Sequence, residues 1–328
     1  LSEREDRQAT EHRALEIAAQ HAWLRPHLSS LMPVVLADRS SDKGRRFVVR
    51  LTNRGWVKDA DAIDVVLKAF AAGDALEEFE HHLGGHQNAL EHLGPDAVPE
   101  ILSVHPETRS LIMRHIGVRT AQDMLGLAEL GLAKSDEILE ACGRWIGRFH
   151  RSTMQDPRPI DPKFMLRWAA TMQAGVEDRS HDVPRRDLFL AYVDQIPALA
   201  ETVTGQSTPI AVAHGDMHLR NLLITENGAV GLDFEGVRTV TPAHDLAKFL
   251  VRYHGGFDPD PNTPVLKAFW RGYGADLHAQ SQPALSYILP IRVLGDWRDI
   301  PKRRADRRPG QQQRFQNLLK YAEKLFAR

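Results

Sequence analysis

Three things are scarce in these 328 residues. Cysteine occurs once, at Cys142, so no disulfide can close within the chain, and a reducing cytoplasm is the expected setting. Long apolar runs are missing: no stretch approaches the roughly 20 residues that span a bilayer, and the polar opening Leu1-Ser2-Glu3-Arg4-Glu5-Asp6 lacks the apolar core of a signal peptide. No membrane partner is expected. An excess of one charge is missing too. With 42 Lys and Arg against 43 Asp and Glu, nothing in the bulk charge points to nucleic acid or to an anionic membrane surface. What remains is an ordinary soluble composition, 42% hydrophobic, on a chain long enough for two lobes that each bury a core.

The informative stretch runs from His214 to Glu235. It reads His214-Gly215-Asp216-Met217-His218-Leu219-Arg220-Asn221, then an apolar run, Asn227-Gly228, a second apolar run and Asp233-Phe234-Glu235. Asn-Gly between apolar runs signals a hairpin, because both residues tolerate the positive φ of a tight turn. Residues 222–225 and 229–232 are then its strands, and the chain returns Asp233 towards the Asn221 end. A carboxylate and an amide oxygen are hard ligands suited to Mg²⁺. Asp216, upstream in the loop, is free to face an acceptor. Phosphoryl transfer asks for little more than these: a carboxylate to orient and deprotonate a hydroxyl, and oxygens to hold Mg²⁺ on nucleotide phosphates.

The His-Gly-Asp-x-His-x-x-Asn segment with its later Asp-Phe-Glu resembles the aminoglycoside phosphotransferase and choline kinase superfamily of small-molecule kinases. Protein kinases share the spacing but carry His-Arg-Asp and Asp-Phe-Gly. The resemblance implies an α+β, bilobal, protein-kinase-like fold, with a small β-rich N-lobe and a larger, mainly helical C-lobe. It implies ATP or GTP as phosphoryl donor, Mg²⁺ as cofactor, and a small-molecule hydroxyl as acceptor. It casts Asp216 as catalytic base and Asn221 and Asp233 as metal ligands. Thr241-Pro242-Ala243-His244-Asp245-Leu246-Ala247 resembles the family's Pro-x-x-Asp-Leu-Ala helix start, in which the Asp braces the catalytic loop; Asp245 reads equally well as a plain N-cap. His218 reads as a residue that orients the loop, and Glu235 as a candidate contact to metal or substrate.

Three regions are expected: a helical extension over 1–32, a nucleotide-binding N-lobe over 33–117, and a C-lobe over 118–328 carrying the catalytic loop, metal site and acceptor site. Residues 9–32 read as mostly helical, with Pro26 as a break. Val34-Val35-Leu36, Phe47-Val48-Val49-Arg50-Leu51 and residues 63–70 are β-prone, a helix covers 74–93, and residues 98–104 and 110–116 are two further strands. Lys68, flanked by apolar residues on the third strand, fits the lysine that reaches nucleotide phosphates. Its helical partner is assigned to Glu80, although counting back from Leu93 lands on His86 and Gly84-Gly85 threatens to break the helix between them. Arg114, His115 and Ile116 form the candidate hinge over which the adenine lies. The phosphate-covering segment, Arg39-Ser40-Ser41-Asp42-Lys43-Gly44-Arg45, holds one glycine and no Gly-x-Gly-x-x-Gly. In the C-lobe, Ser135-Asp136-Glu137 starts a helix whose apolar face includes Cys142, a core thiol, and Phe149-His150 resembles the family's Leu-His at that helix end.

The acceptor side carries no motif, but its charge is uneven. From Arg292 to Arg328 there are 11 Lys and Arg against 4 Asp and Glu, which suits an anionic or neutral acceptor, or an anionic partner surface, better than a polycationic antibiotic, and suits a solvated basic helix edge that never meets substrate somewhat better still. Asp296 and Asp299 are candidate acceptor contacts. The main competing function is a kinase-like nucleotide-binding module without turnover. A protein kinase fits poorly, because no Ala-Pro-Glu follows Glu235 and about ten residues separate it from Asp245.

Overall fold

The computed structural model describes residues 3–41, 44–53, 62–71 and 75–327. They fall into two compact units: Leu1–Val118 with Gly231–Gly236, and Arg119–Val230 with Val237–Arg328.

The first unit is built on a five-stranded antiparallel sheet in the order β1-β2-β3-β5-β4, from β1 (Met32–Ser41), β2 (Gly44–Thr52), β3 (Asp64–Ala71), β4 (Ile101–His105) and β5 (Ser110–Arg114). Helix α1 (Glu3–Ala18) and a 3₁₀ segment (Ala22–Ser30) precede it, and α2 (Ala75–Leu93) follows β3. The helix expected over 9–32 is therefore two elements. α-Helical bonding stops at Ala18, and Pro26, which has no N–H to give, sits inside the tighter 3₁₀ segment. β4 starts at Ile101 rather than 98, because Pro99 cannot donate to a ladder.

Strand periodicity then decides what each face of the sheet meets. Val65, Leu67 and Ala69 of β3 join Phe47, Val49 and Leu51 of β2 in a core closed by Ala14, Ile17 and Ala18 of α1. Phe70 points the other way, into a smaller cluster with Phe79 of α2, Leu111 and Met113. Lys68 shares the face of Phe70 and is buried there, 4% exposed. Each buried Leu or Phe is worth roughly 1.5–3 kcal/mol, so the register that buries Lys68 is enforced by its apolar neighbours.

Helix α2 covers the span expected to be helical and runs unbroken through Gly84 and Gly85, so the break those glycines threatened does not occur. Gly85 serves a close approach instead. A Cβ there would stand 2.7 Å from the backbone nitrogen of Gly236, so the segment behind Asp233 lies directly on the helix.

The second unit is mainly helical: α3 (Ala121–Glu129), α4 (Ser135–Ser152), α5 (Lys163–Glu177), α6 (Arg186–Val193), α7 (Ile196–Val203), α8 (Ala243–Gly256), α9 (Pro264–Tyr273), α10 (Ala275–Arg298) and α11 (Gln311–Phe326). A three-stranded sheet, β10 (Arg238–Val240), β7 (Ser207–Ala213) and β6 (Gln155–Pro159), carries the chain into the loop that starts at His214, and β8 (Leu222–Thr225) pairs with β9 (Gly228–Gly231) after it. The hairpin turn is Glu226–Asn227, with Gly228 (φ 130) heading β9, one residue earlier than expected. Cys142 is buried in the apolar face of α4, and burial pushes its thiol far up.

Candidate active site

Strand β7 ends at Ala213 and delivers His214, Gly215 and Asp216 to the mouth of the second unit. What fixes this turn is Asp245. Its buried carboxylate accepts from the backbone N–H of His214 at 2.7 Å and of Gly215 at 3.2 Å, and lies 3.3 Å from Nε2 of His150. Burial pushes the Asp245 carboxyl up, but the His150 ring and His214, through its ring and its backbone amide, outweigh it and hold the group below its usual range. The N-cap of α8 is Pro242, so Asp245 is no cap. It is a strut between helix and loop, and His150, hydrogen-bonded at Nδ1 to the Tyr273 hydroxyl (3.1 Å), is the second strut behind it.

Asp216 emerges from this scaffold with its side chain 38% exposed. Nδ1 of His218 accepts from the backbone N–H of Arg220 at 3.2 Å, so the ring proton sits on Nε2, which faces Oδ2 of Asp216 at 3.2 Å. His218 thereby aims the carboxylate. Lys248 of α8 donates to the Gly215 carbonyl and stands 3.8 Å from Oδ1 of Asp216. Asn221 spends its amide nitrogen on the Asp216 carbonyl at 2.8 Å, which fixes the amide and leaves its oxygen for a cation. Asp216, Trp168, Lys248, Arg252, Arg292 and Asp296 help to line a cavity of about 200 Å³ within this unit.

The first unit holds the other half of the expected residues. Lys68 donates to Asp233, which adopts a left-handed φ of 62° and also has Arg46 at 3.7 Å. Burial favours protonating Asp233, but Lys68 and the neighbouring cations hold its carboxyl far below the usual range, and it stays ionised. The expected Lys68–Glu80 pair does not form: Glu80 is exposed. The helical partner is His82, with Nε2 at 2.9 Å from the Lys68 ammonium. Nδ1 of His82 lies 2.9 Å from the Phe234 carbonyl, which can only accept, so Nδ1 carries the proton and Nε2 accepts from Lys68. Burial and the Lys68 charge push His82 well below its ordinary value and keep it neutral. His86, one turn further on, lies 2.6 Å from the Pro99 carbonyl and packs its ring edge-to-face on Phe234.

Of the hinge residues, the Arg114 side chain pairs with Glu100 at 2.7 Å, His115 bonds through its backbone to Asp64, and the Ile116 carbonyl accepts from Val118. In the phosphate-covering segment Asp42 and Lys43 lie outside the described residues, and Arg45 is tied back to Asp38 at 2.6 Å. Glu235 is exposed. Asp296 and Asp299 both reach the cavity.

Sequence reasoning missed His82, Lys248, Arg252 and Trp168. For the middle pair a signal existed: His244, Lys248 and Arg252 recur every four residues on α8 and share one face. Among the described residues no three His, Cys, Asp or Glu side chains gather into a metal cage. The Asp233 carboxylate belongs to the first unit and the Asn221 amide oxygen to the second; each by its own chemistry is a hard oxygen donor of the kind Mg²⁺ takes, and Mg²⁺ ordinarily completes its shell with phosphate oxygens and water.

Comparison with known proteins agrees on the fold. The chain is 14% identical to a choline/ethanolamine kinase family protein from Mesorhizobium loti, with a TM-score of 0.55 over 95% of this chain and 97% of that one. It is 15% identical to choline kinase from Cryptosporidium parvum Iowa II (TM-score 0.58, 95% of each chain). It is 12% identical to an amicoumacin kinase solved in complex with AMP-PNP, Ca²⁺ and Ami (TM-score 0.51, 95% of this chain and 96% of that one). No curated protein sequence matches significantly. The profile of the phosphotransferase enzyme family matches residues 37–283, three quarters of the chain. The chain therefore has the α+β kinase-like fold of these structures and belongs to the phosphotransferase enzyme family.

Proposed function

We propose that the protein moves the γ-phosphoryl group of ATP or GTP, with Mg²⁺, to the hydroxyl of a small metabolite, and that Asp216 is the base. The observation that carries this reading is the aim of Asp216: a carboxylate held by His218, on a loop clamped by Asp245, opening onto a cavity of acceptor size. The acceptor hydroxyl gives its proton to Asp216 as its oxygen bonds to phosphorus, the bond from phosphorus to the leaving diphosphate breaks, and the nucleoside diphosphate departs. Asn221 and Asp233 are the residues that would hold the metal, whose chemistry is to neutralise charge on the phosphates. Lys68 is the phosphate contact, with His82 and Asp233 fixing its ammonium. Arg114, His115 and Ile116 remain the proposed hinge against the base.

The test is nucleotide- and Mg²⁺-dependent release of ADP or GDP over a panel of sugars, amino alcohols, amino acids, hydroxy acids and aminoglycosides. Asp216→Ala is expected to lower kcat by at least about 10³-fold, within the range for removing a positioned acid–base group, with Mg-nucleotide binding intact. Turnover surviving in that variant would remove Asp216 as base. Asp233→Ala is expected to weaken Mg-nucleotide binding, and unchanged affinity would take it out of the metal site.

A further inference from the structure

The cavity in front of Asp216 is walled by charged residues of α8 and α10. His244, Lys248 and Arg252 share a face of α8, and Arg292 and Asp296, also four apart, share a face of α10. The carboxylates here are already answered. Asp296 takes Arg314 and has Arg252 at 3.7 Å, Asp299 takes Arg298 at 2.9 Å, and Asp216 has His218 at 3.2 Å. Among the described residues Arg292 is the cation of this wall that enters no ion pair, with Asp296 and Asp245 attracting it only from beyond salt-bridge distance. Its guanidinium lies 4.9 Å from the centre of the Trp168 ring, and its buried Nε has no hydrogen-bond partner among the described residues.

This placement is built, not incidental. Trp168 can occupy it because residue 295 is glycine: a Cβ there would stand 2.7 Å from Cη2 of the indole. The ring holds the guanidinium by its face and leaves the edge donors to something else. A buried donor without an acceptor is costly, and such groups in folded proteins ordinarily answer to a ligand or an ordered water. His244, beside Arg292, is held neutral by burial and by that cation, at about 4, so it adds no second positive charge there.

We propose that the acceptor hydroxyl belongs to a small molecule bearing an anionic group, a carboxylate or a phosphate, that Arg292 binds while Asp216 faces the hydroxyl. This rests on the phosphotransferase reading above. A polycationic acceptor would meet Lys248, Arg252 and Arg292 and be repelled. The size agrees: about 200 Å³ is below the roughly 300–1,000 Å³ of pockets for drug-sized ligands.

The experiment uses the full chain and matched pairs of acceptors that differ in one group: glycerate, glycerol 3-phosphate and glycerol; gluconate and glucose; and an aminoglycoside. Binding is measured by calorimetry and turnover by ADP release, for wild type, Arg292→Gln, Arg292→Lys and the exposed control Arg303→Gln. Wild type and the control are expected to bind an anionic member at least ten-fold tighter than its neutral partner. Arg292→Gln is expected to bring the two within about two-fold, with Arg292→Lys between, showing that the fold is kept. Glycerate against glycerol 3-phosphate separates carboxylate from phosphate. The proposal is overturned if no anionic member binds better than its neutral partner, if the aminoglycoside is preferred, or if Arg292→Gln keeps the preference. Arg292-dependent binding without ADP release would instead refute the phosphotransferase reading and leave the anion site standing.

Discussion

Replacing Asp245 by alanine tests the framework of the site rather than its chemistry. The carboxylate is 1% exposed and receives two backbone N–H groups, at 2.7 and 3.2 Å, besides facing the His150 ring at 3.3 Å. Alanine leaves all three donors buried with nothing to accept them. Removing one partner from a buried charged network costs about 3–5 kcal/mol, in line with about 1–3 kcal/mol for each orphaned donor when some relax. For a unit of this size each kcal/mol moves Tm by roughly 2–4 °C, so Tm should fall by about 6–20 °C. Asp245→Asn keeps one accepting oxygen but turns an NH₂ towards a donor, and should lie between. The assay is thermal and urea unfolding beside steady-state kinetics. Because His214 and Gly215 lead directly into Asp216, kcat should fall by at least about ten-fold at temperatures where the variant is still folded, the scale of a slightly misplaced catalytic group. A Tm within about 2 °C of wild type, together with an unchanged kcat, would refute the strut.

Three further outcomes follow from the same geometry. His82→Ala removes an acceptor from buried Lys68 and a donor from the Phe234 carbonyl; stability should drop by about 1–3 kcal/mol with weaker nucleotide binding, partly restored in His82→Gln, and a neutral effect on both would show that Lys68 needs Asp233 alone. Gly85→Ala should destabilise by about 1–3 kcal/mol through overpacking against Gly236, whereas Gly84→Ala, with nothing within 4 Å, should be neutral or gain up to about 1 kcal/mol of helix propensity; equal effects in unfolding titrations would contradict the close approach. His86 and His254 are each lowered from 6.5 to about 4 by burial, so the unfolded chain takes up protons at a pH where the folded one does not. Stability should therefore fall as pH drops from 6.5 towards 4, by on the order of 2 kcal/mol per histidine at pH 5 relative to pH 7, and a flat urea midpoint across that window would rule out neutral burial of both.

The proposed catalytic loop stands out in the chain because its residues are local. Asp216, Asn221 and Asp233 lie within eighteen residues, and the hairpin between the last two is announced by Asn227-Gly228. Lys68 was legible from the alternation of one strand. Its partner was not. Which turn of α2 faces Lys68 depends on where Gly236 lets the helix rest, a contact between residues 151 apart, so counting along the helix lands on His86, one turn beyond His82. A histidine is also not the residue type a search for a carboxylate looks for. The proposed acceptor wall was hidden for a related reason: the charges at 248, 252, 292 and 296 show their spacing plainly, but nothing in the chain says that α8 and α10 turn those faces to one cavity. The basic segment after Arg292 divides accordingly, with Arg292 and Arg298 on the cavity and Arg303, Arg304 and Arg308 in solvent.

The six residues Gly231–Gly236 belong with the first unit although the chain on either side of them belongs to the second. This bears on anyone who would divide the protein into separately expressed halves. A fragment ending at Val118 would carry Lys68, 4% exposed, without the carboxylate that neutralises it, and a buried lysine in that state either loses its proton or unseats the strand that holds it. A workable dissection has to graft the strip back, as a tail on the fragment or as a peptide supplied in trans. Recovery of cooperative unfolding on adding that peptide would be a direct assay of how much of the small unit's stability is donated from a hundred residues away.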